Sequence, residues 1–137
     1  MGGSGDRSTS HYHQTFPRRP ACAVDARHFV RNVLAAVNDT VDVEAAVLLT
    51  GELVANTIRH AGGDRFEVDV DIRWGEVRIG VSDADPTPPV LQPPDPDALG
   101  GRGLPLVERL SEGWGTHEDD NGGKCVWFRL RTSGGHL

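Results

Sequence analysis

A carboxylate and a carboxamide stand four residues apart in a strongly apolar segment, at Glu52 and Asn56, and His60 continues the same spacing. Four residues of an α-helix correspond to one turn and about 40° of rotation, so the three side chains share one face. A glutamate can take a proton from a hydroxyl group, and an asparagine oxygen is a hard ligand that suits Mg²⁺. The plainer interpretation is a polar stripe that faces solvent.

Two further groups follow along the chain. Asp83 ends a predicted strand, where a carboxylate can accept a hydrogen bond from an exocyclic amine or can cap an Asx turn. A glycine-rich segment then precedes a short predicted helix and consists of Gly101, Arg102, Gly103 and Leu104. Glycines let backbone N–H groups approach an anion, a helix N-terminus adds partial positive charge, and Arg102 adds a full charge. A plain loop is the alternative here, but in this order the three signals suit the parts of one nucleotide.

Hydrophobic periodicity predicts the helices that position these groups. Apolar residues at helical spacing predict one helix over residues 24–38 and a second from the candidate N-cap Asp42 to His60. A third, short helix is predicted over residues 104–110, directly after the glycine-rich segment. Glu52 and Asn56 therefore belong to the second helix.

Strict alternation of apolar and polar residues predicts the strands of a first hairpin, and a polar turn over residues 118–122 predicts a second. One hairpin pairs residues 66–72 with 77–82 around a turn at Trp74 and Gly75, and a second pairs 113–117 with 124–131. Residues 12–16 predict a short edge strand. Six prolines within residues 84–99 exclude a helix or a central strand and predict a functional loop or lid. This element order predicts an α+β fold, with helices on one face of a mixed, mostly antiparallel sheet.

Length and composition limit the function classes. The chain has 137 residues and a formal net charge of −6, which argues against non-specific nucleic-acid binding and against docking on an anionic membrane. No apolar stretch approaches the ~20 residues of a membrane span, and no secretory signal is present. Cys22 and Cys125 are too few and too distant for a disulfide framework or a zinc site. We therefore expect one cytoplasmic domain over residues 11–132, with a disordered leader over 1–10 and a flexible tail over 133–137.

Four segments together resemble the GHKL ATP-binding fold, and most closely the stand-alone anti-sigma factor serine/threonine kinases. Residues 52–61 (ELVANTIRHA) are similar to that family's N box, and residues 81–86 (VSDADP) resemble its first glycine box in a proline-containing form. Residues 101–104 (GRGL) resemble the second glycine box, and residues 123–128 (GKCVWF) resemble the closing strand. The resemblance covers roughly residues 12–132 and implies a two-layer, Bergerat-type sandwich.

The resemblance also implies a role for each site residue. Glu52 would be the general base toward an acceptor serine or threonine, Asn56 would ligate Mg²⁺, and Asp83 would hold the adenine amine of ATP. Residues 84–100 would form the ATP lid. The remaining nucleotide-binding candidates are His60, Gly101, Arg102, Gly103, Leu104, Lys124 and Cys125. The implied protein partners are an anti-sigma factor antagonist of the STAS type, a sigma factor and a second copy of the chain, without direct contact with nucleic acid or membrane.

Two departures from the family pattern keep a second function open. Residues 83–86 lack the glycines of the superfamily's DxGxG motif, and Cys125 stands where the family has a threonine beside adenine. A thiol is a weaker hydrogen-bonding group than a hydroxyl. The alternative to an ATP-dependent kinase is therefore a catalytically weak or inactive anti-sigma or adaptor module that acts by protein contacts. Lys124 can reach phosphates, although a lysine on a strand is more often solvated.

Overall fold

The computed structural model describes residues 9–36, 41–60, 63–73, 75–84, 103–118 and 122–132. Five strands and three helices follow the predicted order. The strands are β1 (Thr9–Pro17), β2 (Arg65–Arg73), β3 (Glu76–Asp83), β4 (Gly113–Glu118) and β5 (Lys124–Arg131). The helices are α1 (Cys22–Ala35), α2 (Val43–His60) and α3 (Gly103–Leu110).

The strands form one sheet in the order β1-β2-β3-β5-β4, and each neighbouring pair is antiparallel. The two predicted hairpins, β2–β3 and β4–β5, are confirmed. Gly75 has a φ of 82° in the first turn and Gly122 has a φ of 87° before β5, a conformation that glycine adopts without steric cost. The fold is therefore the predicted α+β sandwich, with a sheet that is antiparallel throughout the part of the chain described.

Two predicted boundaries need correction. The edge strand was predicted over residues 12–16, yet β1 begins at Thr9, because its residues pair with the whole length of β2. Thr9 and Ser10, assigned to the leader by the sequence, belong to β1. The first helix was predicted over 24–38, but α1 begins at Cys22 and ends at Ala35. Its last turn closes early because the Ala36 N–H donates to the Val33 carbonyl, three residues back.

The three helices cover one face of the sheet. α2 packs against α1, α3 and β3 and lies at the centre of the helical layer. Alternate residues of the strands and the apolar stripes of the helices share one core, whose largest fully buried side chains include Phe66, Phe128, Leu49, Leu53, Ile79 and Val107. On β2 the buried Phe66, Val68 and Val70 alternate with half-buried residues of the other face. The register thus separates an inner, helix-covered face from an outer face.

α2 is held at both ends. The Asp42 carboxylate accepts a hydrogen bond of 3.0 Å from the Ala45 N–H, which confirms the predicted N-cap. At the other end, the Arg18 guanidinium donates to the Ile58 carbonyl at 2.9 Å and to the Gly63 carbonyl at 2.6 Å. Arginine at this position satisfies carbonyls of the last turn and favours the negative end of the helix dipole. The helix that carries Glu52 and Asn56 is therefore fixed in place.

No helix in the described residues is long and apolar enough to cross a membrane. Residues 1–8 of the predicted leader, most of the predicted lid and the predicted tail over 133–137 lie outside the described residues.

Candidate functional site

Glu52 and Asn56 occupy the position that the sequence predicted, one turn apart on α2. Both side chains are half-buried, while Leu53 and Val54 beside them are buried in the core. The two polar residues therefore lie at the margin between the apolar face of α2 and its surroundings. His60 is the last residue of α2, and its side chain lies outside the described part of the structure.

Asp83 lies at the end of β3 on the inner face of the sheet. In the ladder it pairs with Phe66 of β2 on one side and with Lys124 of β5 on the other. The Lys124 ammonium contacts both carboxylate oxygens, with Nζ 3.2 Å from Oδ1 and 3.1 Å from Oδ2. The Asp83 side chain is 1% exposed and the Lys124 side chain is 10% exposed, so the two form a buried ion pair at the end of the sheet.

A third group reaches the same carboxylate from the helical layer. Thr57, the residue after Asn56 on α2, donates its hydroxyl to Asp83 Oδ2 at 3.4 Å. Thr57 is buried, so its hydroxyl needs an acceptor inside the protein. The hydrogen bond joins the helix of Glu52 and Asn56 to the strand of Asp83. The structure thus links two of the three groups singled out in the sequence, the polar residues of α2 and Asp83 of β3.

The backbone of Gly123 passes directly over the end of β3. A Cβ added at Gly123 would lie 1.8 Å from the Asp83 carbonyl oxygen and 2.9 Å from Cα of Ala84. No other residue type can approach so closely, so glycine is required where the chain enters β5. This close crossing places Lys124, the next residue, beside the Asp83 carboxylate.

Cys125 does not belong to this group, contrary to the expectation that it stands beside adenine. Successive residues of a strand point to opposite faces. Cys125 pairs with Ser82, and its Sγ would lie 2.9 Å from a Cβ added at Gly80, on the outer face. Of the two adjacent candidates, Lys124 lies on the inner face beside Asp83 and Cys125 lies on the outer face.

The glycine-rich segment leads into α3 as predicted. Gly103 is the first residue of α3 and Leu104 the second, while Gly101 and Arg102 lie outside the described residues. α3 packs against α2, and Val107 at its centre is fully buried. The N-terminus of α3 therefore belongs to the same helical layer as Glu52 and Asn56.

Sequence reasoning missed Thr57 and Gly123. The signal for Thr57 was a hydroxyl four residues after the buried Leu53, on the apolar face of α2. The signal for Gly123 was its place directly before a predicted strand.

A cavity of about 230 Å³ borders this part of the sheet and is lined by Arg65, Phe66, Glu67, Ser82, Asp83, Ala84 and Gly123. A larger groove, of about 650 Å³, lies between β1 and α1, away from Asp83.

The oxygen donors of the candidate site are of the kind that suits a magnesium nucleotide. Within the described ranges, no three histidine, cysteine, aspartate or glutamate residues are grouped to hold a metal ion. Mg²⁺ typically keeps water ligands and uses one or two protein oxygens together with substrate phosphates. The amide oxygen of Asn56 is a suitable single protein ligand of that kind.

Comparison with known proteins supports this interpretation. The sequence profile of the histidine kinase-like ATPase domain matches residues 16–130, a range that includes or overlaps every strand and helix of the fold. No curated protein matches the chain significantly.

Proposed function

Because the chain belongs to the histidine kinase-like ATPase domain family, we propose that it binds ATP with Mg²⁺ and transfers phosphate to a serine or threonine of a partner protein. The observation that carries this proposal is the pairing of Glu52 with Asn56 on a helix whose next residue, Thr57, is bonded to Asp83. In this proposal α2 carries the general base Glu52 and the metal ligand Asn56, and the adjoining β3 carries Asp83, the carboxylate that would recognise the nucleobase.

In the proposed reaction Glu52 accepts the proton of the acceptor hydroxyl. The oxygen of that serine or threonine bonds to the γ-phosphorus of ATP, and the bond between this phosphorus and the departing ADP oxygen breaks. Mg²⁺, held by Asn56, would neutralise charge on the phosphates. Phosphoryl transfer depends mainly on positioning and charge neutralisation, so a fixed helix is well suited to it. His60, Gly101, Arg102, Gly103 and Leu104 would complete the phosphate end of the site.

We further propose that the phosphate acceptor is an anti-sigma factor antagonist of the STAS type and that the chain also binds a sigma factor, in a partner switch. This part of the proposal rests on the resemblance of residues 52–61 and 101–104 to the anti-sigma factor kinases. The same resemblance supports a homodimer formed through the sheet and α1.

One observation favours a second function, an anti-sigma or adaptor module without kinase activity. The carboxylate that would accept the adenine amine already contacts the Lys124 ammonium through both oxygens. If that contact excludes the adenine base of ATP, the domain would act through protein contacts alone. The two functions differ in nucleotide binding, which can be measured directly.

The experiment that tests the proposal is calorimetric titration with ATP, in Mg²⁺ and in EDTA. The wild-type protein should bind ATP more tightly in Mg²⁺, and Asn56→Ala should lose that Mg²⁺-dependent gain. Asn32→Ala is the matched control because Asn32 is exposed on α1, outside the site. Failure of the wild-type protein to bind ATP in Mg²⁺ would refute the kinase and favour the adaptor. Binding would be followed by a phosphotransfer assay with purified STAS-type antagonists.

A further inference from the structure

Lys124 is the chain's only lysine, and it is buried at the site rather than solvated. All other basic residues among the 14 are arginines. Its ammonium lies 3.1 Å from Oδ2 and 3.2 Å from Oδ1 of Asp83, and its side chain is on the inner face of the sheet. A fixed hydrogen-bond donor therefore stands next to a fixed acceptor at the base end of the candidate site.

This pair of groups is complementary to one edge of a purine. An ionised carboxylate only accepts hydrogen bonds, and an ammonium group only donates them. Adenine presents an amine donor beside a ring-nitrogen acceptor, N7 on one edge and N1 on the other. Guanine and hypoxanthine present a carbonyl acceptor where adenine has its amine. The Asp83–Lys124 pair thus matches adenine and mismatches the 6-oxo purines.

We propose that Lys124 is a specificity-determining residue for the nucleobase: its ammonium donates to the adenine ring nitrogen next to the amine that Asp83 accepts. The proposal rests on the proposed function, in which Asp83 is the adenine carboxylate. A carboxylate has about four lone-pair positions and can accept hydrogen bonds from several donors at once. The ion pair then contributes to base recognition instead of blocking it.

The surroundings of the pair hold both groups in place. Gly123 crosses over the Asp83 carbonyl with no room for a side chain between them, and Thr57 donates to the carboxylate from α2. Burial also strengthens the interaction, since a lower local dielectric makes charge-assisted hydrogen bonds stronger than in water. A nucleobase that reproduces this pattern forms a hydrogen bond with both groups, whereas one with the reversed pattern sets an acceptor against the carboxylate and a donor against the ammonium and gains neither bond.

The test compares ATP with 1-deaza-ATP, 7-deaza-ATP and ITP in calorimetric titrations of the wild-type protein. A hydrogen bond to a charged donor predicts that one deaza analogue binds roughly tenfold more weakly, or worse, than ATP. ITP should bind more weakly still. The identity of the weaker deaza analogue shows which ring nitrogen Lys124 contacts. Equal affinity for ATP and both deaza analogues would overturn the proposal.

A variant pair isolates the side chain. Lys124→Met keeps an unbranched side chain, one atom shorter, that donates no hydrogen bond, so ATP and the sensitive deaza analogue should bind this variant equally. Arg129→Gln on the same strand is the control, because Arg129 is exposed on the outer face. This variant should keep the wild-type ratio between the affinities for ATP and for the sensitive deaza analogue. Tighter ATP binding by Lys124→Met than by the wild-type protein would show that the ion pair competes with the base, and it would overturn the proposal.

A spectroscopic measurement on the wild-type protein needs no variant. Because the chain has one lysine, ¹⁵N-lysine labelling gives a single side-chain ammonium signal. That signal should shift on addition of ATP and shift much less with the sensitive deaza analogue. An unmoved signal at saturating ATP would refute the role of Lys124 while leaving ATP binding intact. No binding of ATP at all would instead refute the proposed function.

Discussion

Lys124 Nζ lies 3.1 Å from Oδ2 of Asp83 across the β3–β5 ladder, and both side chains are buried. Thr57 contacts the same oxygen from α2, so one carboxylate links two strands and a helix. Removing one partner of a buried ion pair leaves an uncompensated charge and is strongly destabilising. The base end of the candidate site is therefore also a structural junction, and variants there need matched controls for stability.

Glu52→Gln should abolish phosphate transfer while ATP binding is retained. The amide has nearly the same shape as the carboxylate but cannot accept the proton of the acceptor hydroxyl, and general-base catalysis contributes about 10²–10⁴-fold to a rate. The measurement is phosphotransfer to a STAS-type antagonist together with an ATP titration. Glu108→Gln, at an exposed position on α3, is the control. An unchanged transfer rate in Glu52→Gln would exclude Glu52 as the base.

Thr57→Val should weaken ATP binding several-fold, because the methyl group cannot donate to Asp83 and the carboxylate loses one of its fixed partners. The lost hydrogen bond should also lower the free energy of unfolding by about 1 kcal/mol. Thr50→Val is the matched control, since Thr50 is buried on the same helix and donates instead to the Ala46 carbonyl at 2.7 Å. The control should lose similar stability in urea unfolding and keep its ATP affinity. Equal ATP affinity in the two variants would contradict a role for Thr57 at the site.

The elements were predictable because local patterns determine them. The alternation on β2 and β3 predicts the first hairpin, the polar turn before β5 predicts the second, and the hydrogen bond of 3.0 Å from the Ala45 N–H to Asp42 confirms the N-cap. Strand ends were less predictable: β1 begins at Thr9 because β2 offers it a partner of equal length, which is a tertiary effect.

The motifs of the candidate site were readable in the sequence, but the sequence reasoning did not say which residue at the start of β5 lies beside Asp83. Lys124 and Cys125 are adjacent and neighbouring residues of a strand face opposite sides, so only one of these two candidates can lie on the inner face. The decisive signal was in the sequence: Lys124 has the same parity as the apolar Val126 and Phe128, which face the core. The Asp83 ion pair itself was not predictable, because it joins residues 41 positions apart through sheet pairing.

Gly123→Ala should destabilise the protein more than Gly75→Ala. Both substitutions add only a methyl group, but the Cβ at position 123 would lie 1.8 Å from the Asp83 carbonyl oxygen, whereas the Cβ at position 75 meets nothing within 4 Å. The Gly75 variant should lose roughly 1–2 kcal/mol from its positive φ alone. Thermal unfolding measures the difference. A Gly123 variant as stable as the Gly75 variant would show that β5 can move away from β3.

At the β1 edge, the outer face of the sheet carries a histidine, His11, beside two carboxylates of β2. His11 Nδ1 lies 2.6 Å from Oδ1 of Asp71, its ladder partner on β2, and Nε2 lies 3.3 Å from Oδ1 of Asp69. The hydrogen bond to Asp71 is the main cause that raises the pKa of His11 above its usual 6.5. The charged imidazole therefore helps to fasten the edge strand to the sheet.

The stability of the protein should consequently decrease as the pH rises above about 6.5, the pKa of an unperturbed histidine. Between the unfolded pKa and the raised folded pKa of His11 the native state binds more protons than the unfolded state, so raising the pH favours unfolding. The stabilising contribution of His11 is fully present below the pKa that His11 has in the unfolded chain. It is lost as the pH rises through the higher pKa that His11 has in the folded protein. Urea unfolding from pH 5.5 to 8.5 should show a shallower slope for His11→Gln than for the wild-type protein. His28→Gln, exposed on α1, should keep the wild-type slope, and an identical slope in His11→Gln would exclude His11 as the titrating group.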